Sequence, residues 1–269
     1  MPILRIPEPY DFELSLERFF YWGLDRANVW HAGGLHRVVD GLEVRIERAR
    51  GGVRVEPLND AIEPVVRKLL GLEFALEPFY EFAAGEPVLA GVVPRLAGFR
   101  PPLAPDAFES LVTSITAQQV SLHAAFAIRS RLIERFGERG DLAYAFPTPE
   151  RIAAAREEEL LALGFSRRKA EYAIGLARAG LDFEALALLS DTEVKATLES
   201  VRGLGEWTAD WFLARHLARP EAWPAGDLGL RKAVLTFYPG VNDVRAAGDR
   251  FRPFQNLTAH YLLLALRHQ

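Results

Sequence analysis

The sequence contains no cysteine at all. That absence excludes disulfides, thiol nucleophiles, cysteine zinc sites and iron–sulfur clusters. Histidine is scarce, with six residues at 31, 36, 123, 216, 260 and 268, and none stands in H-x-x-x-H or HExxH spacing. A histidine-built transition-metal site is therefore not expected. No apolar run approaches the roughly 18 residues of a membrane span. The opening MPILRIPEPYDFE turns polar at once, without a signal pattern. The chain reads as cytoplasmic (nucleoid-associated if prokaryotic) with no membrane partner.

An excess of positive charge is missing too. The net charge is −4 and the pI about 5.9, which argues against a nucleic-acid footprint spread over the whole protein. The distribution is uneven, however. Residues 200–269 carry 9 Lys/Arg against 6 Asp/Glu, a local balance of +3 on an acidic body. That permits a phosphate-facing surface at the C-terminal end.

The 269 residues are 49% hydrophobic and 25% charged, an ordinary globular composition for one large domain or a few small ones. LHRVVDGLEVRIERARGGVRVEPL alternates apolar and polar positions around Gly41 and Gly51-Gly52, a pattern of short antiparallel strands joined by tight turns. AIEPVVRKLLG at 61–71 then has helical spacing. From about residue 105 a 3.6-residue period takes over, with Asp106 and Asp191 placed as helix caps. The expected fold class is α+β: a small antiparallel α/β domain over 1–95, then an all-helical part. The helical part is read as 96–225, with C-terminal helices over 226–269 packing against 96–110.

One turn carries the chemistry. VRGLG at 201–205 separates a capped helix from a second helix beginning near Glu206. Glycines at 203 and 205 allow positive φ and the close approach of another backbone. The amides of the turn and of the following helix N-terminus form a nest for an anion, and nucleic-acid phosphate is a common polyanion of that kind. By itself this pattern is more often a plain helix end followed by a new helix. Trp207 and Trp211, at i and i+4, share one face of the second helix. Asp227 follows twenty residues after Trp207, an acid among small and apolar residues at the start of another helix.

These features together resemble the helix–hairpin–helix superfamily of DNA base-excision glycosylases. Within it the chain is similar to the 3-methyladenine DNA glycosylase II type. Pro9-Tyr10-Asp11 matches that branch's N-terminal PYD segment, and Ile115, Gln118, Val120 and Ser121 match its I-x-x-Q-x-V-S motif. The resemblance spans nearly the whole chain. It implies a monofunctional glycosylase that flips alkylated purines out of duplex DNA and hydrolyses the glycosidic bond. Asp227 falls on the catalytic acid. Trp207, Trp211, Leu228, Gly229 and Phe254 fall on the base pocket, with Leu228 and Gly229 smaller than the residues usual there. The hairpin Gly203, Leu204 and Gly205 falls on the phosphate-binding amides. Gln118, Gln119 and Val120 fall on the wedge, where relatives carry a bulky apolar side chain. Trp207 stands where lyase-active members carry lysine, and an indole cannot form a Schiff base.

No cofactor is required on this reading. A structural Na or K ion would fall on the carbonyls of Glu199, Val201 and Leu204. Arg167, Arg168 and Lys169 are candidate phosphate contacts, or equally a solvated face. The expected partner is double-stranded DNA carrying alkylated bases, bound by a monomer. A non-catalytic DNA-damage-binding module and a glycosylase for oxidised or mismatched bases are the alternatives.

Overall fold

The structure, a computed structural model, describes residues 3–269. Its N-terminal unit is a five-stranded antiparallel sheet of order β1-β5-β4-β3-β2. The strands are β1 (Ile3–Leu4), β2 (Val29–His31), β3 (Gly34–Val39), β4 (Leu42–Ala49) and β5 (Gly52–Glu56). β3 and β4 meet through Asp40-Gly41, both at positive φ (48° and 73°), the two-residue turn whose twist suits a hairpin. Register then places Leu35 opposite Ile46 and Ile46 opposite Val55, so one face is apolar. Helices α1 (Phe12–Leu16), α2 (Arg18–Tyr21) and α3 (Ile62–Leu69) close this first core, which includes Leu16, Ile62 and Val66.

A second core unites two distant stretches of sequence. It takes Phe79 from α4 (Leu76–Ala84), Leu89 from α5 (Leu89–Val92), and Phe99 and Leu103 beyond them. It also takes Leu230 and Val234 from α14 (Leu228–Phe237), Val244 from α15 (Val244–Ala247), and Tyr261 and Leu262 from α16 (Gln255–Arg267). The third core holds α6 (Ala107–Ala117), α7 (Leu122–Phe136), α8 (Pro149–Ala153), α9 (Glu157–Ala162), α10 (Arg167–Arg178), α11 (Phe183–Leu188), α12 (Asp191–Glu199) and α13 (Glu206–Arg215).

The boundaries therefore differ from those read from periodicity. Residues 74–95 leave the sheet domain, and the C-terminal helices pack on residues 74–103, of which Leu96, Phe99 and Leu103 fall within the expected 96–110. The reason is tertiary: Phe79 packs against Phe254 and Tyr261, and Phe99 against Tyr261, far away in the sequence, and no local pattern reports such pairing. Asp191 is also displaced as a cap. Ser190 caps α12, its side chain accepting from the Glu193 amide while the Glu193 carboxylate takes the Ser190 N–H at 2.9 Å. Asp106 does cap α6, accepting from the Glu109 N–H at 2.6 Å.

A buried charge network joins the sheet to the helical core. Arg37 of β3 pairs with Glu109 of α6 at 2.5 Å, and Arg129 of α7 bridges Glu109 and Asp25. Burial alone would raise the Glu109 carboxyl, but Arg37 and Arg129 outweigh it and hold the group below its ordinary range. Among the described residues no helix is long and apolar enough to cross a membrane.

Candidate active site

The hairpin between α12 and α13 is built around Gly203, which has φ +96°. A Cβ there would overlap the ring of Tyr172 on α10, so the position demands glycine for conformation and for space. Gly205 differs from the sequence expectation. Its φ of −114° is extended, a conformation open to any residue, and a Cβ would meet nothing. What Gly205 contributes is a missing side chain: no side-chain cap covers the N-terminus of α13. The first-turn amides of that helix face outward with the positive end of its dipole. Leu204 is buried and anchors the turn in the third core. Lys195 of α12 reaches Asp210 of α13 at 2.5 Å, which braces the two arms of the hairpin.

Asp227 is the N-cap of α14, and its two oxygens have separate tasks. Oδ1 accepts the Leu230 N–H at 2.9 Å. Oδ2 accepts the indole N–H groups of Trp207 at 2.9 Å and of Trp211 at 3.1 Å. Three donors thus aim one half-buried carboxylate, while Gly226, Leu228 and Gly229 beside it are exposed and leave it open to solvent. The i, i+4 spacing of the tryptophans is what lets both indoles reach a single oxygen.

The aromatic residues expected around this acid differ in how much surface they leave free. Trp211 is buried, and the Arg215 guanidinium lies 3.6 Å from its ring centroid, so a cation already covers one face. Burial, and then the charge of Arg18, weaken the proton affinity of Arg215, while Asp227 opposes them. Phe254 packs against Phe79 and Phe82 at 5.9 and 5.3 Å and belongs to the second core. Leu228 is 82% exposed and projects from the first turn of α14. Trp207, half-buried, is the indole left with surface to offer. A Cβ on Gly229 would stand 3.1 Å from Asp227 Oδ1 and 3.3 Å from Leu263. A larger residue there would crowd the carboxylate as well as narrow the space.

The turn after α6 is tied to the hairpin. Gln118 Nε2 donates to the Gly203 carbonyl at 2.9 Å, so Gln118 points inward and links the two loops. Gln119, exposed and at φ +54°, forms the tip with exposed Val120 beside it. Lys169 is not a surface cation: it is buried and donates to the Thr116 carbonyl at 3.0 Å, with burial lowering its pKa. Arg167, paired with Glu157 at 3.3 Å, and Arg168 stay exposed. Sequence reasoning missed Arg215, Tyr172 and Lys195. The i+4 spacing of Arg215 from Trp211 was a usable signal; the other two contacts cross between helices and had none.

With this geometry in view, the comparisons with known proteins decide the family. Residues 112–243 match the HhH-GPD superfamily base excision DNA repair protein. The chain is 32% identical over 217 residues to a DNA-3-methyladenine glycosylase of Bacillus subtilis (strain 168), an alignment covering 76% of this chain and 72% of that one. The chain belongs to that superfamily. Its place among the DNA-3-methyladenine glycosylases is supported by a second relative, DNA-3-methyladenine glycosylase 2 of Escherichia coli (strain K12). That protein is 31% identical over 212 residues, covering 74% of this chain and 72% of the relative. In structure it is similar over 99% of both chains to the 3-methyladenine DNA-glycosylase from Archaeoglobus fulgidus, with a TM-score of 0.90 and 29% identity. The fold-class expectation, a small antiparallel sheet domain followed by a helix–hairpin–helix bundle, agrees with that neighbour.

Proposed function

We propose that this protein is a monofunctional DNA glycosylase that excises alkylated purines, of the 3-methyladenine and 7-methylguanine class, from duplex DNA as a monomer. The observation that carries the reading is Asp227, aimed by two indoles and a helix amide beside a hairpin with a bare helix N-terminus. A damaged base is reached by flipping, which costs a few kcal/mol and least for weakened pairs. The hairpin amides around Leu204 and Gly205 would hold backbone phosphate without reading sequence, and the tip at Gln119 and Val120 would fill the gap in the stack. Gln118 acts through the hairpin it supports, and Arg167 and Arg168 remain available for further phosphate contacts.

Alkylation at N3 or N7 makes a purine cationic and already weakens its bond to the sugar. The second carboxylate that would protonate a neutral leaving group is then unnecessary. Asp227 would stabilise the positive charge developing on the sugar or accept a proton from the attacking water. Because Arg215 occupies a face of Trp211, any gain from a cationic base over an aromatic ring, about 0.5–2 kcal/mol, falls to Trp207. Trp207 replaces the amine a lyase would need, so the product is an intact abasic strand. The carbonyls of Glu199, Val201 and Leu204 would hold a monovalent cation under the hairpin. Val201 O already accepts the Leu204 N–H at 3.0 Å, and a second lone pair remains for an ion.

The test is release of free base from methylated duplex DNA by wild type and by Asp227→Asn, with strand breaks assayed before and after alkali. Release by wild type alone, with breaks only after alkali, is expected. Equal release by the variant removes Asp227 from the chemistry, and breaks before alkali remove the monofunctional assignment.

A further inference from the structure

Lys169 is the buried lysine of this protein, with 8% of its surface exposed. Its ammonium donates to the Thr116 carbonyl at 3.0 Å. Burial lowers its proton affinity, and no neighbouring acid opposes that effect. A charge held this way costs stability, because a single carbonyl does not replace the water that an ammonium gives up. A methionine of similar length would fill the same space without that cost. The ammonium therefore serves the position of the atom it holds.

That atom stands at the root of the tip formed by Gln119 and Val120. Thr116 lies in the last turn of α6, where the final carbonyls have no partner within the helix. A cation there also meets the negative end of the helix dipole. Gln118 leaves α6 at φ −58° and ψ 126°, and Gln119 turns at φ +54° before Ser121 caps α7. The direction of the tip thus depends on how the last turn of α6 is held.

The anchor of Lys169 is itself fixed. It is the third residue of α10, and its amide donates to the Ser166 cap at 3.3 Å. Tyr172, three residues on, lies on the same face of α10, and its ring fills the space beside Gly203. Gln118 Nε2 closes the circuit by donating to the Gly203 carbonyl at 2.9 Å. One face of α10 therefore holds both the tip and the hairpin, and Lys169 is its grip on the tip.

We infer that Lys169 is a positioning residue for base flipping: through the Thr116 carbonyl it sets the angle at which Gln119 and Val120 enter the base stack. This inference rests on the glycosylase reading, which makes the tip the group that fills the gap. Buried behind the tip, Lys169 acts only through it. Its loss should slow flipping and leave the hold of the hairpin on phosphate unchanged.

The test uses Lys169→Met, a tip variant carrying Gln119→Ala and Val120→Ala together, and the two combined. Melting temperature, affinity for a paired undamaged duplex, and single-turnover release of base from methylated DNA are measured for each. Insertion of the tip is followed by the fluorescence of 2-aminopurine beside a tetrahydrofuran abasic site, a signal that needs no chemistry. Lys169→Met is expected to melt at or above the wild-type temperature and to bind the paired duplex normally. Its base release should fall about tenfold or more, the scale of a hydrogen bond to a charged group, and the fluorescence change should shrink. The combined variant should be no slower than the slower of its parents, because both changes act on one device. Wild-type release by Lys169→Met or by the tip variant overturns the inference, as do losses that multiply in the combination. A melting temperature and a paired-duplex affinity that fall together make Lys169 merely structural and overturn it too. Lys169→Gln answers the same questions if Lys169→Met does not fold. A fluorescence change that Lys169→Met abolishes, with no base release even by wild type, would instead sink the glycosylase reading alone.

Discussion

Trp211 donates its indole N–H to Asp227 Oδ2 at 3.1 Å although almost all of its surface is buried. A buried ring that spends its one polar atom on a half-exposed carboxylate is an aiming device rather than a wall for a base. Hydrogen bonds to a charged group contribute about 1.5–3 kcal/mol. Trp211→Phe keeps the packing and removes that donor, so kcat for base release should fall about tenfold or more, with duplex affinity little changed. Single-turnover kinetics check this, and a loss confined to KM would contradict the aiming role.

The hairpin glycines should respond differently to the same change. Gly203→Ala must adopt φ near +96° and overlap Tyr172. It is expected to cost about 1–3 kcal/mol of stability and to weaken binding to undamaged DNA. Gly205→Ala has extended backbone and open space, so its stability should stay within about 0.5 kcal/mol of wild type. Thermal melting and salt-dependent binding of both variants separate the two cases. Equal melting temperatures would count against the close approach to Tyr172.

The charge network between domains gives a third expectation. Glu109 is buried between Arg37 and Arg129, so Glu109→Gln leaves two buried cations short of a partner. The expected loss is about 3–5 kcal/mol, read as a lower urea midpoint. A near-neutral result would mean that Asp25 compensates both arginines alone.

Acid sensitivity should follow from two buried histidines. Burial, then the charge of Lys68, pushes His216 down to about 4, and burial holds His260 well below its usual value with Arg215 and Arg18 adding to the effect. Both are neutral in the folded protein and protonate in the unfolded chain near 6.5. The stability they contribute is full above that value and is lost as pH falls toward 4. For His216 the loss at pH 5 is about 2 kcal/mol. Melting at pH 7 and pH 5 should show a smaller difference in His216→Gln than in wild type.

Local chemistry made much of this protein legible in one dimension. Strand alternation around Asp40-Gly41, the Asp106 cap, the hairpin glycines and the Trp207, Trp211, Asp227 spacing all depend on neighbours within about twenty residues, where helix and strand periods report directly. Contacts between distant segments were decided only by tertiary packing. The second core joins residues 74–103 to 223–265, and Phe254 is drawn into it. Lys169 turns inward to Thr116, Arg215 covers Trp211, and Tyr172 lies under Gly203. Each of these depends on which faces meet across space, and the same residue types would satisfy their local helices with any partner. The sequence thus determined the hairpin and the acid, and packing decided which side chains remained free to meet DNA.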